Sequence, residues 1–179
     1  MFFEVFASPK GSGARAHFDH EMNFNVLLRG LKRWTLAPNR AVINPLEACA
    51  LDSRLSPFLS ACMNSPLPKT LPRHSVQITA RPGTSVFLPR GEWHRTVALQ
   101  ESFGVVCGIQ PPTWSELLIA NLERHLLTKA DFRSYAIGFT GGSNREYFDK
   151  ELAHMHKALR TIVNILDTTK LTKELKTIF

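Results

Sequence analysis

His17 and Asp19 stand two apart in the stretch RAHFDHEMNFNVLLRGLKRW, which runs from Arg15 to Trp34. On a β-strand, residues two apart leave by the same face. An imidazole and a carboxylate therefore point together where a sheet interior is ordinarily apolar. Burying such a pair costs free energy unless its charge and hydrogen bonds are satisfied, and a divalent cation satisfies both. Two ligands are too few for that role, and His-x-Asp often arises by chance. His94 offers a third. It follows a tight Pro89-Arg90-Gly91 turn in PGTSVFLPRGEWHRT, where another strand begins, and an antiparallel barrel can return a late strand beside an early one. Two imidazoles and one carboxylate occupy one face of an octahedron and leave the other open, which is the ligand set of non-haem Fe(II) oxygenases.

Lys32 lies past the Gly30 break, on what reads as the adjacent strand. If Lys32 faces inward, Arg33 faces out. A buried ammonium needs an anion. The distal carboxylate of 2-oxoglutarate would supply one while its keto-acid end chelates the metal; the alternative is that both cations are solvated strand residues. Asn23 and Asn25 share the parity of Asp19, and Asn25 is expected to contact cosubstrate or substrate. His20, one beyond Asp19, is expected on the opposite face. Trp93 and Arg95 flank His94 and so face away from it, and Phe24 and Trp34 are expected in the core. His74, His125, His154 and His156 stand apart from this group.

These residues need strands to hold them. Residues 1–112 read as short Val-, Ile- and Phe-rich runs bounded by Gly and Pro: FFEVFA, FNVLLRGLKRWTLAP, HSVQITARPG, TSVFLPRGEWHRTVAL and ESFGVVCGIQPP. Many short strands at this spacing predict an antiparallel barrel or jelly roll. Residues 39–73 are rich in Pro and Ser without a sustained period, so they read as an inserted loop with a helical turn or two. After Pro111-Pro112 the pattern changes. Thr113 and Glu116 form a capping box that opens TWSELLIANLERHLL, and Ser143 with Glu146 repeats the signal. Phe148, Leu152, Met155, Leu159, Ile162 and Leu166 then recur in heptad-like steps. That stripe packs either within the chain or as a homodimer seam. The expectation is a mainly β protein with a helical C-terminal region: a double-stranded β-helix over 1–112 and helices over 113–179.

With 44% hydrophobic residues and 12 Phe, 3 Trp and 2 Tyr, the 179-residue chain can bury a core. It has no apolar run long enough to span a membrane, and its start has neither the basic region nor the apolar core of a signal peptide. Three cysteines, none in a CxxC pair, predict reduced thiols in the cytoplasm. The net charge of +7 sits mainly in residues 1–112, with 12 Lys/Arg against 7 Asp/Glu. This suits an anionic cosubstrate, and direct nucleic-acid binding is not predicted from it.

FASPKGSGARAHFDHEMNFNVLLRGLKRWTLAP together with RPGTSVFLPRGEWHRTVALQESFGVVCGIQPPTWSELL closely resembles the JmjC-type cupin oxygenases, nearest the ribosomal-oxygenase branch. The resemblance covers roughly Phe3 to Leu118. It implies Fe(II) held by His17, Asp19 and His94, 2-oxoglutarate anchored by Lys32, and hydroxylation of a C–H bond with release of succinate and carbon dioxide. It also implies a peptide or protein side chain as substrate and dimerisation through the C-terminal helices. A free or carrier-bound amino acid is the alternative substrate, and a non-catalytic metal-binding cupin the alternative class. The chain begins almost at the first barrel strand, so an exposed sheet edge or its closure by a partner is expected.

Overall fold

A computed structural model describes residues 1–140 and 144–165, the last two by their backbone alone. The chain divides into two compact units, Met1–Gln110 and Pro111–Phe179.

The first unit is two facing antiparallel sheets. β1 (Phe2–Ser8), β9 (Ser102–Ile109), β3 (Met22–Arg29) and β7 (Ser85–Leu88) form one, in that order. β2 (His17–Phe18), β8 (Trp93–Ala98), β4 (Lys32–Ala37) and β6 (Val76–Ala80) form the other, extended past β2 by the short β5 (Cys49–Ala50). Strands distant in sequence are thus neighbours in space, as a double-stranded β-helix requires. The order also brings β2 against β8 with His17 directly opposite His94. β1 pairs with β9 alone and is the expected sheet edge. Gly30 turns β3 into β4 at φ 84°, and a β-carbon there would meet the Glu101 carbonyl at 2.0 Å. Only glycine fits.

The residues flanking the two histidines build the core on the outside of the second sheet. Phe18 and Trp93 point away from His17 and His94, stack edge-on at 4.7 Å and are fully buried. The insert 39–73 covers them with Ala41, Val42 and Leu59. It carries one short helix, α1 (Pro57–Ala61), capped by Ser56, and also β5, which its composition does not announce. A second cluster of Leu27, Trp34, Ala80, Val86 and Leu88 closes part of the barrel interior. Phe24 is a correction to the sequence reading. Its alternation with Asn23 and Asn25 puts it on the outer face of the first sheet, 39% exposed against Phe87, because the polar members of β3 take the inside.

In the second unit α2 (Trp114–Leu127) opens on the predicted capping box, with both reciprocal bonds between Thr113 and Glu116 present. α3 spans Arg145–Ile165. Phe148, Met155, Leu159 and Ile162 of its stripe are half-buried and Leu152 is exposed. Leu166 and Ser143 lie outside the described residues. No described helix is long and apolar enough to cross a membrane.

Candidate metal centre

β2 and the loop after it supply His17 and Asp19, and β8 supplies His94. Nε2 of His17 lies 3.4 Å from one Asp19 carboxylate oxygen, and Nε2 of His94 lies 3.5 Å from the other. The imidazoles are 4.1 Å apart at their centres. All three ligand atoms fall within 4.8 Å of one another. The two nitrogen–oxygen spacings are a little wider than the roughly 3 Å between neighbouring ligands on a cation with bonds of about 2.1 Å. Small side-chain movements close the difference.

The backbone fixes the ring orientations. Nδ1 of His17 faces the Arg15 carbonyl at 2.7 Å, and Nδ1 of His94 faces the Glu92 carbonyl at 3.0 Å. A neutral imidazole that donates through Nδ1 keeps the Nε2 lone pair for a metal, the usual arrangement of a ligating histidine. Asp19 is held twice: Asn23 Nδ2 donates to its carboxylate at 2.8 Å, and the Gly91 amide donates to its carbonyl at 2.9 Å. The second bond ties the Pro89–Glu92 turn to the backbone of Asp19. Arg90 anchors that turn to the insert, donating at 2.7 Å to the carbonyls of Asn44 and of Pro45.

Burial and mutual contact set the charges. Desolvation alone would lower His17, but the Asp19 carboxylate and the Arg15 carbonyl hold it above the ordinary imidazole range. Burial works against the Asp19 anion, and bonding to His17 together with the charge of His94 overcomes it, so the carboxyl sits below its usual range. His94 is the most enclosed, and burial followed by the nearby His17 pushes it down. The site thus rests as a carboxylate beside one neutral imidazole and one that gains a proton easily.

These residues line a cavity of about 460 Å³, together with Lys32, Asn25, Glu21, Thr96 and Trp34. Lys32 faces inward and Arg33 is exposed, as strand parity predicts. The Lys32 Nζ lies 5.6 Å from the Trp34 ring and 5.8 Å from the Phe6 ring. Burial lowers its pKa, and among the described residues no carboxylate comes within ion-pair distance. Asn25 also lines the cavity, its Nδ2 buried without a hydrogen-bond partner. His20 stays outside the triad, its Nδ1 3.1 Å from Glu21. Sequence reasoning did not find the bond from Asn23 to Asp19. It also missed Thr96, whose hydroxyl reaches the cavity and accepts from the Ala14 amide at 3.0 Å. Parity with Asp19 and His94 was the available signal for each. An open groove of about 580 Å³ adjoins at Gly13, Ala14 and His17, running along the insert past Glu47 and Arg54.

The JmjC domain family matches residues 1–117. An uncharacterized protein of Bacillus subtilis, YxbC, is 32% identical over 138 residues, covering 74% of this chain and 41% of its own length. Two structures of Escherichia coli YcfD are similar in fold. One covers 92% of this chain at a TM-score of 0.53 and 15% identity. The other, described as a ribosomal oxygenase in complex with cobalt and 2-oxoglutarate, covers 97% at 0.51 and 16%. The chain spans about two-fifths of the length of these relatives.

Proposed function

The chain belongs to the JmjC domain family, and from that premise we propose that it is an Fe(II)- and 2-oxoglutarate-dependent oxygenase. The observation that carries the reading is that β2, the loop after it and β8 bring two imidazoles and one carboxylate within 4.8 Å of one another, in a cavity that also holds Lys32, which has no ion-pair partner among the described residues. The donor set fits a divalent cation with an open face. His17, Asp19 and His94 would hold Fe(II), and Lys32 would bind the distal carboxylate of 2-oxoglutarate, with Asn25 as a further polar contact. When bound, metal and cosubstrate supply oxygen activation, with succinate and carbon dioxide as co-products. The protein supplies the rest. Asn23 fixes the Asp19 carboxylate and the Gly91 amide its backbone, the Arg15 and Glu92 carbonyls fix the rings, and Trp34, Leu88 and Val106 supply an apolar cavity wall.

A C–H bond of a peptide or protein side chain is the proposed target. The open groove that meets the cavity beside His17 supports an extended substrate over a free amino acid, which a closed cavity would serve. Residues 1–112 would form the catalytic domain. The helical region would pair two copies through the α3 stripe, where Leu152 is 42% exposed. Three free cysteines suit a cytoplasmic location. The test is conversion of 2-oxoglutarate to succinate with Fe(II), with mass spectrometry of candidate peptides for the gain of one oxygen atom. Absence of both turnover and metal uptake overturns the reading in favour of a non-catalytic cupin.

A further inference from the structure

The two sheets of the barrel differ in what covers them. The outer face of the β2 sheet carries Phe18, Ala37 and Trp93, each at most 1% exposed beneath the insert. The outer face of the β1 sheet is as apolar. On β1, β9 and β3 the cavity takes Glu4, Phe6, Ser8, Val106, Asn23 and Asn25, so the alternate residues leave by the opposite side. One row crosses all four strands in register: Phe3, Cys107, Phe24 and Phe87. The next row is Val5, Val105, Val26 and Ser85. Ser85 is the only polar residue in these two rows and neither carries a charge; Arg29 stands in the row beyond, beside Ala7 and Phe103 at the end of the sheet. Yet Phe3 is 66% exposed, Val5 62% and Phe87 45%. An uninterrupted apolar patch of several hundred square ångströms is often an interaction site.

We propose that this face packs against the same face of a second copy, joining two barrels sheet to sheet. Composition selects the partner. Interfaces between separately stable partners are about as polar as ordinary surface, whereas homodimer interfaces are more apolar. The two apolar rows are self-complementary under a two-fold axis that passes through them, because nothing in them repels its own image and Arg29 lies at the margin. The area suffices. Four strands at about 4.8 Å spacing and roughly seven residues of about 3.3 Å give a footprint near 20 by 23 Å. Two such corrugated faces bury on the order of 1,000 Å², which is where specific interfaces begin. Packing about 10 Å apart is the ordinary sandwich arrangement. The contact is independent of the metal site and of the α3 seam.

The test is the mass of the full-length protein in solution, by light scattering and sedimentation, for wild type, Phe24→Glu with Phe87→Glu, and Leu152→Glu. None of these residues lines the cavity, so unchanged cobalt binding reports an intact fold. If both seams form, wild type is a tetramer and each variant halves its mass. If only the sheet contact forms, wild type is a dimer that the Phe24/Phe87 pair splits and Leu152→Glu leaves intact. A wild-type monomer overturns the proposal, as does an assembly that the Phe24/Phe87 pair leaves whole. Cys107 gives a readout without mutation at the interface. Its alkylation, compared with that of exposed Cys62, slows several-fold at protein concentrations where the assembly forms and recovers on dilution. Alkylation of Cys107 that does not depend on protein concentration also overturns the proposal.

Discussion

Replacing Lys32 with Met separates a binding role from a structural one, because the two predict opposite signs. The ammonium sits on β4 inside the cavity, its pKa lowered by burial and its Nζ near the Phe6 and Trp34 rings, with no carboxylate at ion-pair distance among the described residues. Without an anion this is a net cost to folding. Mutational data put an unmatched buried polar group at roughly 1–3 kcal/mol, and half-burial argues for the lower end. Methionine keeps the apolar stem and removes the charge, so the metal-free, cosubstrate-free protein gains about 1 kcal/mol, or roughly 2–6 °C in Tm for a unit of this size. Binding moves the other way. A hydrogen bond to a charged group is worth about 1.5–3 kcal/mol, so 2-oxoglutarate affinity falls about 10- to 150-fold. The pH dependence follows from the folded pKa being below the unfolded one. Between the two values the unfolded chain binds more protons, so stability rises with pH through that window. In Lys32→Met that rise disappears. Scanning calorimetry across alkaline pH and isothermal titration with 2-oxoglutarate on the cobalt-loaded protein measure both effects. A variant that is less stable and binds the cosubstrate normally refutes the assignment of Lys32.

His94→Ala abolishes tight cobalt or iron binding while the far-ultraviolet circular dichroism survives, because the fold's buried clusters lie elsewhere; retained metal affinity contradicts the triad. Asn23→Ala removes the 2.8 Å bond to Asp19 and weakens metal binding about 10- to 100-fold, the usual effect of losing a residue that orients a ligand. Metal affinity falls with acidity: His17 is held above the ordinary imidazole range, so protons compete for it at a higher pH than for a free imidazole. Asp19→Asn lowers the His17 midpoint in an NMR titration, and an unchanged midpoint removes Asp19 as the cause. Arg90→Ala strips two 2.7 Å bonds from the insert and lowers Tm, with metal affinity close to wild type.

The triad was legible because strand parity is a rigid rule: His17 and Asp19 at a step of two, and His94 at the start of a strand that returns beside them. The same parity put Lys32 inside, Arg33 outside, and Trp93 on the face away from His94. It misled at Phe24. Alternation says that Asn23, Phe24 and Asn25 divide between two faces, but not which face is the interior, and the habit of burying aromatics chose wrongly. The insert was illegible for a different reason. Its order comes from contacts far along the chain, such as Arg90 on the carbonyls of Asn44 and Pro45 and β5 on β2, which leave no period in the local sequence.

The inverted polarity of the β1 sheet connects these observations. A barrel that holds a cation and a dianion must line its cavity with residues such as Glu4, Asn23, Asn25 and Thr96, and each is a position lost to apolar packing. The β2 sheet recovers burial on its far side, where the insert seals Phe18 and Trp93. Truncating such an aromatic costs about 3–5 kcal/mol, a large share of a domain's stability, so Trp93→Ala should unfold the barrel. Phe87→Ala, on the uncovered face, is nearly neutral in a single copy and destabilising only where two copies meet. The difference between those two substitutions, followed by thermal unfolding at several protein concentrations, measures how far the first sheet depends on a neighbour for the burial its own cavity denies it. Equal effects of the two, at every concentration, would mean that both faces are covered by the same chain.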